Sequence, residues 1–272
     1  TKRISLPSCT GDFPMGDMPL STGPAPFVNT SASEHKAIDD YFSGTTAFAF
    51  DVRPGNTFFS FNTANPEEKN IINYNTMWTF AASFDGINKD YLYTINYITD
   101  RLKRIKISTG EVEDVGECVP GNNSWFTGMA VDRITNTMYA VSTTMQNSYI
   151  YTIDPETASA TLVGQTEVPT LIDIAIDNSG QMYAYCISTN NAFKINKDNG
   201  EATLLGSIGF NANFDQGMDY DDQNDIIYLA AFNNATMNGE LRILDRTTGN
   251  THLAGSFGCN VAGLAFHGNS FA

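Results

Sequence analysis

An apolar run closed by an aspartate recurs along this chain: AASFD at Asp85, GMAVD at Asp132, DIAID at Asp177 and GMDYD at Asp221. A fifth copy, GLAFH, ends at His267, and the spacings are 47, 45, 44 and 46 residues. A second marker keeps the same period. It is the turn between two later runs, written KISTGEVEDVG, TIDPETASATLVG, KINKDNGEATLLG and ILDRTTGNTHLAG, with a degenerate copy, SFNTANPEEKNIIN, beginning near Ser60. Two independent markers on one period make a repeat architecture the primary constraint on the fold. Each unit carries four short runs of period-two alternation separated by Gly, Asn, Asp, Pro and Thr turns; within 122–165 they are TGMAVD, TMYAVST, SYIYTID and SATLVG. Four antiparallel strands in about 45 residues make one blade of a β-propeller. A helical repeat would show period 3.6 instead.

The strand count also predicts how the ring closes. The C-terminus offers only a first strand, Ala262–His267, whereas Thr46–Asn73 offers runs resembling strands two to four (TAFAFDV, NTFFSFNT, EKNIINY). Joined, they form one blade from both chain ends and leave no open sheet edge. With blades near 77–118, 122–165, 169–208 and 213–257, the expectation is an all-β, five-bladed β-propeller over residues 46–272. Six blades are the alternative if residues 1–45 hold further strands. That segment, rich in Pro and Gly, reads instead as an extended N-terminal arm, with ASEHKAIDDYF as a short helix capped by Ser33.

The phrases YTIDPETASATLVG, FKINKDNGEATLLG and LRILDRTTGNTHLAGSFG, each following a strand such as YLYTIN, MYAVS, MYAYC or IYLAA, resemble the β-propeller repeats of large secreted and cell-surface bacterial proteins. The resemblance covers roughly residues 46–267. It implies an extracellular module, often one part of a larger surface protein, and it brings no catalytic residue set with it.

Fifteen basic against thirty acidic residues give a net charge of −15, which disfavours phosphate backbones and anionic membranes as partners. Charged residues are only 17% of the chain, diluted by Asn, Thr, Ser and Gly, a surface common in extracellular proteins. No apolar run approaches the roughly 18 residues of a membrane span, and the first residues lack the apolar core of a signal peptide. The four cysteines form no CxxC pair, and the histidines are scattered, which speaks against structural zinc. Cys186, inside MYAYC, reads as a buried free thiol. A bridge from Cys9 to Cys118 or Cys259 is the expected tie for the arm. The sequons at Asn29, Asn122 and Asn234 read as chance triplets of an Asn-rich chain.

Function is sought where the repeat is broken. The first strand of each blade lines the channel, and one face carries Gly, Ala or Ser almost everywhere. Asp173 and Asp219 are the exceptions. Two carboxylates in a narrow channel call for solvation, protonation or a cation, and Ca2+, which takes six to eight oxygens, is the candidate ion. The recurrent Asp85, Asp132, Asp177 and Asp221 read as turn caps, and DYDDQND (219–225) as a solvated acidic turn. The loops entering the first strands carry Tyr74, Trp78, Trp125, Phe126, Phe210 and Phe214 among Asn and Gln. Such aromatics either bind sugars or peptide side chains, or plug gaps between blades. The candidate ligand-binding set is Tyr74, Trp78, Trp125, Phe126 and Phe214. No GxSxG, HExxH or P-loop occurs. The reading is a secreted or surface-displayed, non-enzymatic binding or structural module for a polysaccharide, a protein or further copies through the arm. The alternatives are a metal-dependent hydrolase or lyase using the channel carboxylates, or an accessory domain of a larger secreted enzyme.

Overall fold

The inner strands of each blade have both faces covered, one by each neighbouring blade, whereas the outermost strands stay partly exposed. The computed structural model describes residues 44–53, 56–74, 79–86, 88–214 and 216–268; the N-terminal segment, with the helix expected there and Cys9, lies outside the described residues. The chain begins with β1 (Thr46–Asp51), β2 (Thr57–Asn62) and β3 (Asn65–Asn73). A complete blade follows in β4 (Thr79–Phe84), β5 (Tyr91–Asn96), β6 (Arg101–Lys106) and β7 (Val112–Glu117). The next holds β8 (Trp125–Asp132), β9 (Thr137–Thr143), β10 (Ser148–Ile153) and β11 (Ala160–Thr166). Then come β12 (Leu171–Ile176), β13 (Met182–Cys186), β14 (Asn191–Ile195) and β15 (Ala202–Ser207). The last full blade is β16 (Gly217–Asp221), β17 (Ile226–Asn233), β18 (Asn238–Leu244) and β19 (Thr251–Ser256), and β20 (Val261–Phe266) ends the ring.

All five sheets are four-stranded, and the fifth has the order β20-β1-β2-β3. The protein is therefore a five-bladed β-propeller closed by strands from its two ends, as the strand count predicts. β1 pairs antiparallel with β20 through Ala47–Phe266 and Asp51–Val261.

The apolar core is divided into five main parts, and each lies between two blades rather than within one. Met129, Tyr151 and Phe126 of one blade pack with Tyr93, Ile95 and Leu102 of the blade before it. Tyr185 and Ile172 pack with Met218, Leu229 and Tyr220 of the blade after them. Phe59, Phe61 and Phe266 of the closing blade meet Tyr228 and Leu241. A blade alone would expose both faces, so only the closed ring buries them, at about 2–3 kcal/mol for each large side chain.

The glycine that ends the recurrent phrase has a definite task. In each full blade's outermost strand it faces the next blade, a turn at Gly116, Gly164 and Gly206 and the start of β3 at Gly255. A Cβ on Gly164 would stand 1.9 Å from the Asn199 carbonyl oxygen, on Gly206 2.3 Å from that of Thr248, and on Gly255 2.6 Å from the Pro66 ring. At Gly116 the corresponding approach, to the Thr157 carbonyl, is a looser 3.2 Å. A β-bulge opposite these glycines recurs in each of these four blades, at Leu102/Lys103, Ile150/Tyr151, Ala192/Phe193 and Leu241/Arg242. Gly164→Ala is expected to lower stability by roughly 1–3 kcal/mol, and Gly116→Ala by clearly less. Urea unfolding of the two variants checks the ranking.

Candidate functional site

The innermost strands β4, β8, β12, β16 and β20 converge so tightly that their side chains are consumed by one another. Asp173 of β12 is fully buried. Its Oδ1 accepts the backbone N–H of Met129 on β8 at 3.1 Å and of Ile174 at 2.8 Å, and its Oδ2 accepts that of Met218 on β16 at 2.7 Å. One carboxyl thus ties three adjacent first strands together. A β-bulge between Leu171 and Asp173 breaks the regular register where the side chain leaves the sheet. Gly128 makes room for it, since a Cβ there would lie 2.0 Å from Asp173 Oδ1. Asp219 repeats the device one blade on, its Oδ2 accepting the Phe266 N–H at 2.6 Å.

Burial pushes both carboxyls up. For Asp173 desolvation outweighs the three amides, and the neighbouring Asp219 adds to the rise. Asp219 is raised by burial to about 6, against Arg133 and the backbone N–H bonds, which pull it down. The two channel carboxylates do sit on neighbouring strands, as expected. A cation between them would compete with the N–H donors that already occupy their oxygens. Among the described residues, no group of three His, Cys, Asp or Glu side chains converges to hold a metal.

Arg133 caps one end of the channel. It leaves β8 and reaches across the ring, donating to the carbonyls of Tyr220 and Phe266 at 3.3 Å each and lying 3.6 Å from the Asp222 carboxylate. Lys89 donates to the Gly268 carbonyl, and His267 Nε2 lies 2.7 Å from the Lys89 carbonyl. Together with Ser83, Asp85 and Asp219 these side chains border a cavity of about 30 Å3, space for a water molecule or two and too small for an organic substrate.

The recurrent aspartates cap turns as expected. Asp132 accepts the Ile134 N–H at 2.9 Å, Asp177 that of Ser179 at 2.9 Å and Asp221 that of Gln223 at 3.0 Å. Two of them also reach the next blade: Asp132 pairs with Lys197 and Asp177 with Arg246, the latter at 3.3 Å.

On the opposite face the aromatic set divides. Phe126 is 1% exposed and packs edge-on against Tyr151; Phe210 is buried, and Phe214 packs against the same core as Phe210. These three fill gaps between blades. Trp125 is 47% exposed and Tyr74 66% exposed, and Trp78 lies outside the described residues. Ile98, in the β5–β6 turn, and Val119, between β7 and β8, are also exposed on this side. Cys186 is a buried free thiol, as expected. Cys118 and Cys259, in the segments before β8 and β20, are buried free thiols as well, packed into inter-blade cores; Cys9, the other end of the expected bridge, lies outside the described residues.

A family model described as a repeat of unknown function (DUF6923) matches residues 42–253. The chain belongs to the DUF6923 repeat family. No curated protein matches it. Among solved structures, a chain of a nidogen/laminin complex is similar at 12% identity and a TM-score of 0.53, over 81% of this chain and 97% of that one. A candidate gluconolactonase is similar at 9% identity and a TM-score of 0.51, over 76% of each. Similarity at these identities describes the propeller fold alone.

A carboxyl whose folded pKa stands above its unfolded value contributes stability that is complete below the unfolded value and is lost as pH rises through the folded one. The stability of the native DUF6923 chain relative to its Asp219→Asn variant is therefore expected to fall between about pH 4 and about pH 6, by at most about 3 kcal/mol. Urea titrations of both proteins across that range check it, and the opposite slope is the contrary result.

Proposed function

We propose that this propeller is a non-enzymatic binding module of a secreted or surface-displayed protein, and that it engages a protein surface through the loop face around β4–β7. The observation that carries the reading is the exposure of Trp125 at the start of β8, with Tyr74, Ile98 and Val119 exposed in loops on the same side of the disc. An indole left open to solvent beside aliphatic side chains suits a partner's apolar anchor ringed by polar contacts. The adjacent Phe126 turns inward, so the outward turn of Trp125 is a property of this position rather than of aromatic loops in general. The nidogen/laminin complex contains a protein partnership, and its shared fold is consistent with such a use.

The catalytic alternative draws less support. Asp173 spends its oxygens on backbone amides, and the cavity beside Asp219 has no space for a substrate. The low charge density of the surface and its many amides support the extracellular setting.

The test is a binding screen of the purified protein against extracellular-matrix proteins and, separately, polysaccharides, repeated with Trp125→Ala. Binding to a protein that weakens at least tenfold in the variant, with an unfolding free energy within about 0.5 kcal/mol of the parent, is expected. Binding confined to polysaccharides, or unaffected by the substitution, contradicts the reading.

A further inference from the structure

The seam of the ring is where the two chain ends meet, and it brings an amine and a thiol together. Lys69 lies in β3, contributed by the N-terminal part of the chain. Cys259 lies in the segment joining β19 to β20, at the C-terminal end. Their Nζ and Sγ atoms are 2.5 Å apart, across a sequence separation of 190 residues. The amine is held there by two further contacts: it donates to the Phe257 carbonyl at 3.1 Å and sits 5.0 Å from the centroid of the Phe59 ring. The sulfur belongs to a residue only 1% exposed and is packed with Phe61, Phe257 and Val261.

The separation is shorter than that of an ammonium hydrogen-bonded to sulfur and longer than a direct nitrogen–sulfur bond. A single oxygen atom bonded to both spans it. The other buried thiols offer a contrast. Cys186 donates to the Pro169 carbonyl at 2.9 Å and lies among the hydroxyls of Thr170 and Ser188, and Cys118 is packed into an apolar cluster. Neither has an amine partner among the described residues.

We propose that Lys69 and Cys259 are a modification site: dioxygen joins them through an Nζ–O–Sγ link that closes the propeller ring covalently. In the balanced step, Lys69 reacts as the neutral amine after giving a proton to solvent. One N–H bond and the S–H bond break, an N–O and an O–S bond form, and the second oxygen atom leaves as water with the two hydrogens. Nitrogen and sulfur each give up two electrons, and dioxygen takes all four. Burial pushes the Cys259 thiol up to about 11, so it exchanges poorly with external disulfides, and its packing admits only a small oxidant. The link would turn 190 residues of the unfolded chain into a closed loop, which stabilises the folded ring through the denatured state. It would also lock the one blade whose strands come from both ends of the chain.

The native protein itself provides the test. Samples kept under air and samples kept under argon with excess dithiothreitol are digested with protease and mapped by mass spectrometry. The expected result is one species joining the Lys69 and Cys259 peptides, heavier by one oxygen and lighter by two hydrogens than their sum, in the air sample alone. The air sample should also resist urea to a higher midpoint than the reduced one, a difference that Lys69→Arg abolishes. Three results overturn the proposal: separate peptides with a free Cys259 thiol, Cys259 oxidised without Lys69, or Cys259 joined to Cys9. The peptide map is made on the unaltered protein, so it decides between these outcomes whether or not the Lys69→Arg variant folds.

Discussion

Five strands must approach one axis, and the rest of the structure follows from how closely they can do so. The approach is tight enough that a methyl group at Gly128 or Gly217 has nowhere to go: at Gly217 a Cβ would lie 2.4 Å from the Leu264 nitrogen. Asp173 converts that crowding into a bond. Its carboxyl replaces water as the acceptor for N–H groups of three neighbouring blades, groups that would otherwise be orphaned in a dry interior. The cost is a carboxyl with a raised pKa, and the gain is a centre that cannot open one blade at a time.

The same logic runs outward. Each main core belongs to a pair of blades, so an open arc would end in two exposed apolar faces. Further out, the glycine of the outermost strand receives the turn of the following blade, at Gly116, Gly164 and Gly206. Lys197 and Arg246 reach back from such turns to Asp132 and Asp177. These ion pairs are partly exposed at the basic partner, so they align the blades more than they stabilise them. The closing blade carries the whole load of circularity, and the Lys69–Cys259 contact falls on that seam.

Much of this is legible in the sequence. Period, blade number, closure by Ala262–His267 with Thr46–Asn73, and the departure of Asp173 and Asp219 from the pattern all follow from reading the repeat. What the two aspartates do is not legible, because their partners are set by the register between neighbouring first strands and by the bulge at Leu171/Asp173. The same limit applies at Trp125 and Phe126. Alternation says that one points in and the other out, but the bulge between Phe126 and Gly128 decides the local register, and a bulge has no sequence signature there. Arg133 does carry a sequence signal. It follows the recurrent aspartate at a position occupied elsewhere by Gly86, Asn178, Asp222 and Gly268, so it too breaks the repeat.

The central claim is that the ring is one cooperative unit clamped at its axis. Native-state hydrogen exchange of the Met129, Ile174 and Met218 amides tests it most directly, followed against low concentrations of urea. The account predicts that all three exchange only through global unfolding, with one common free energy equal to that of the whole domain. Exchange of Met129 and Met218 with different, smaller free energies, as blades opening independently would give, contradicts it.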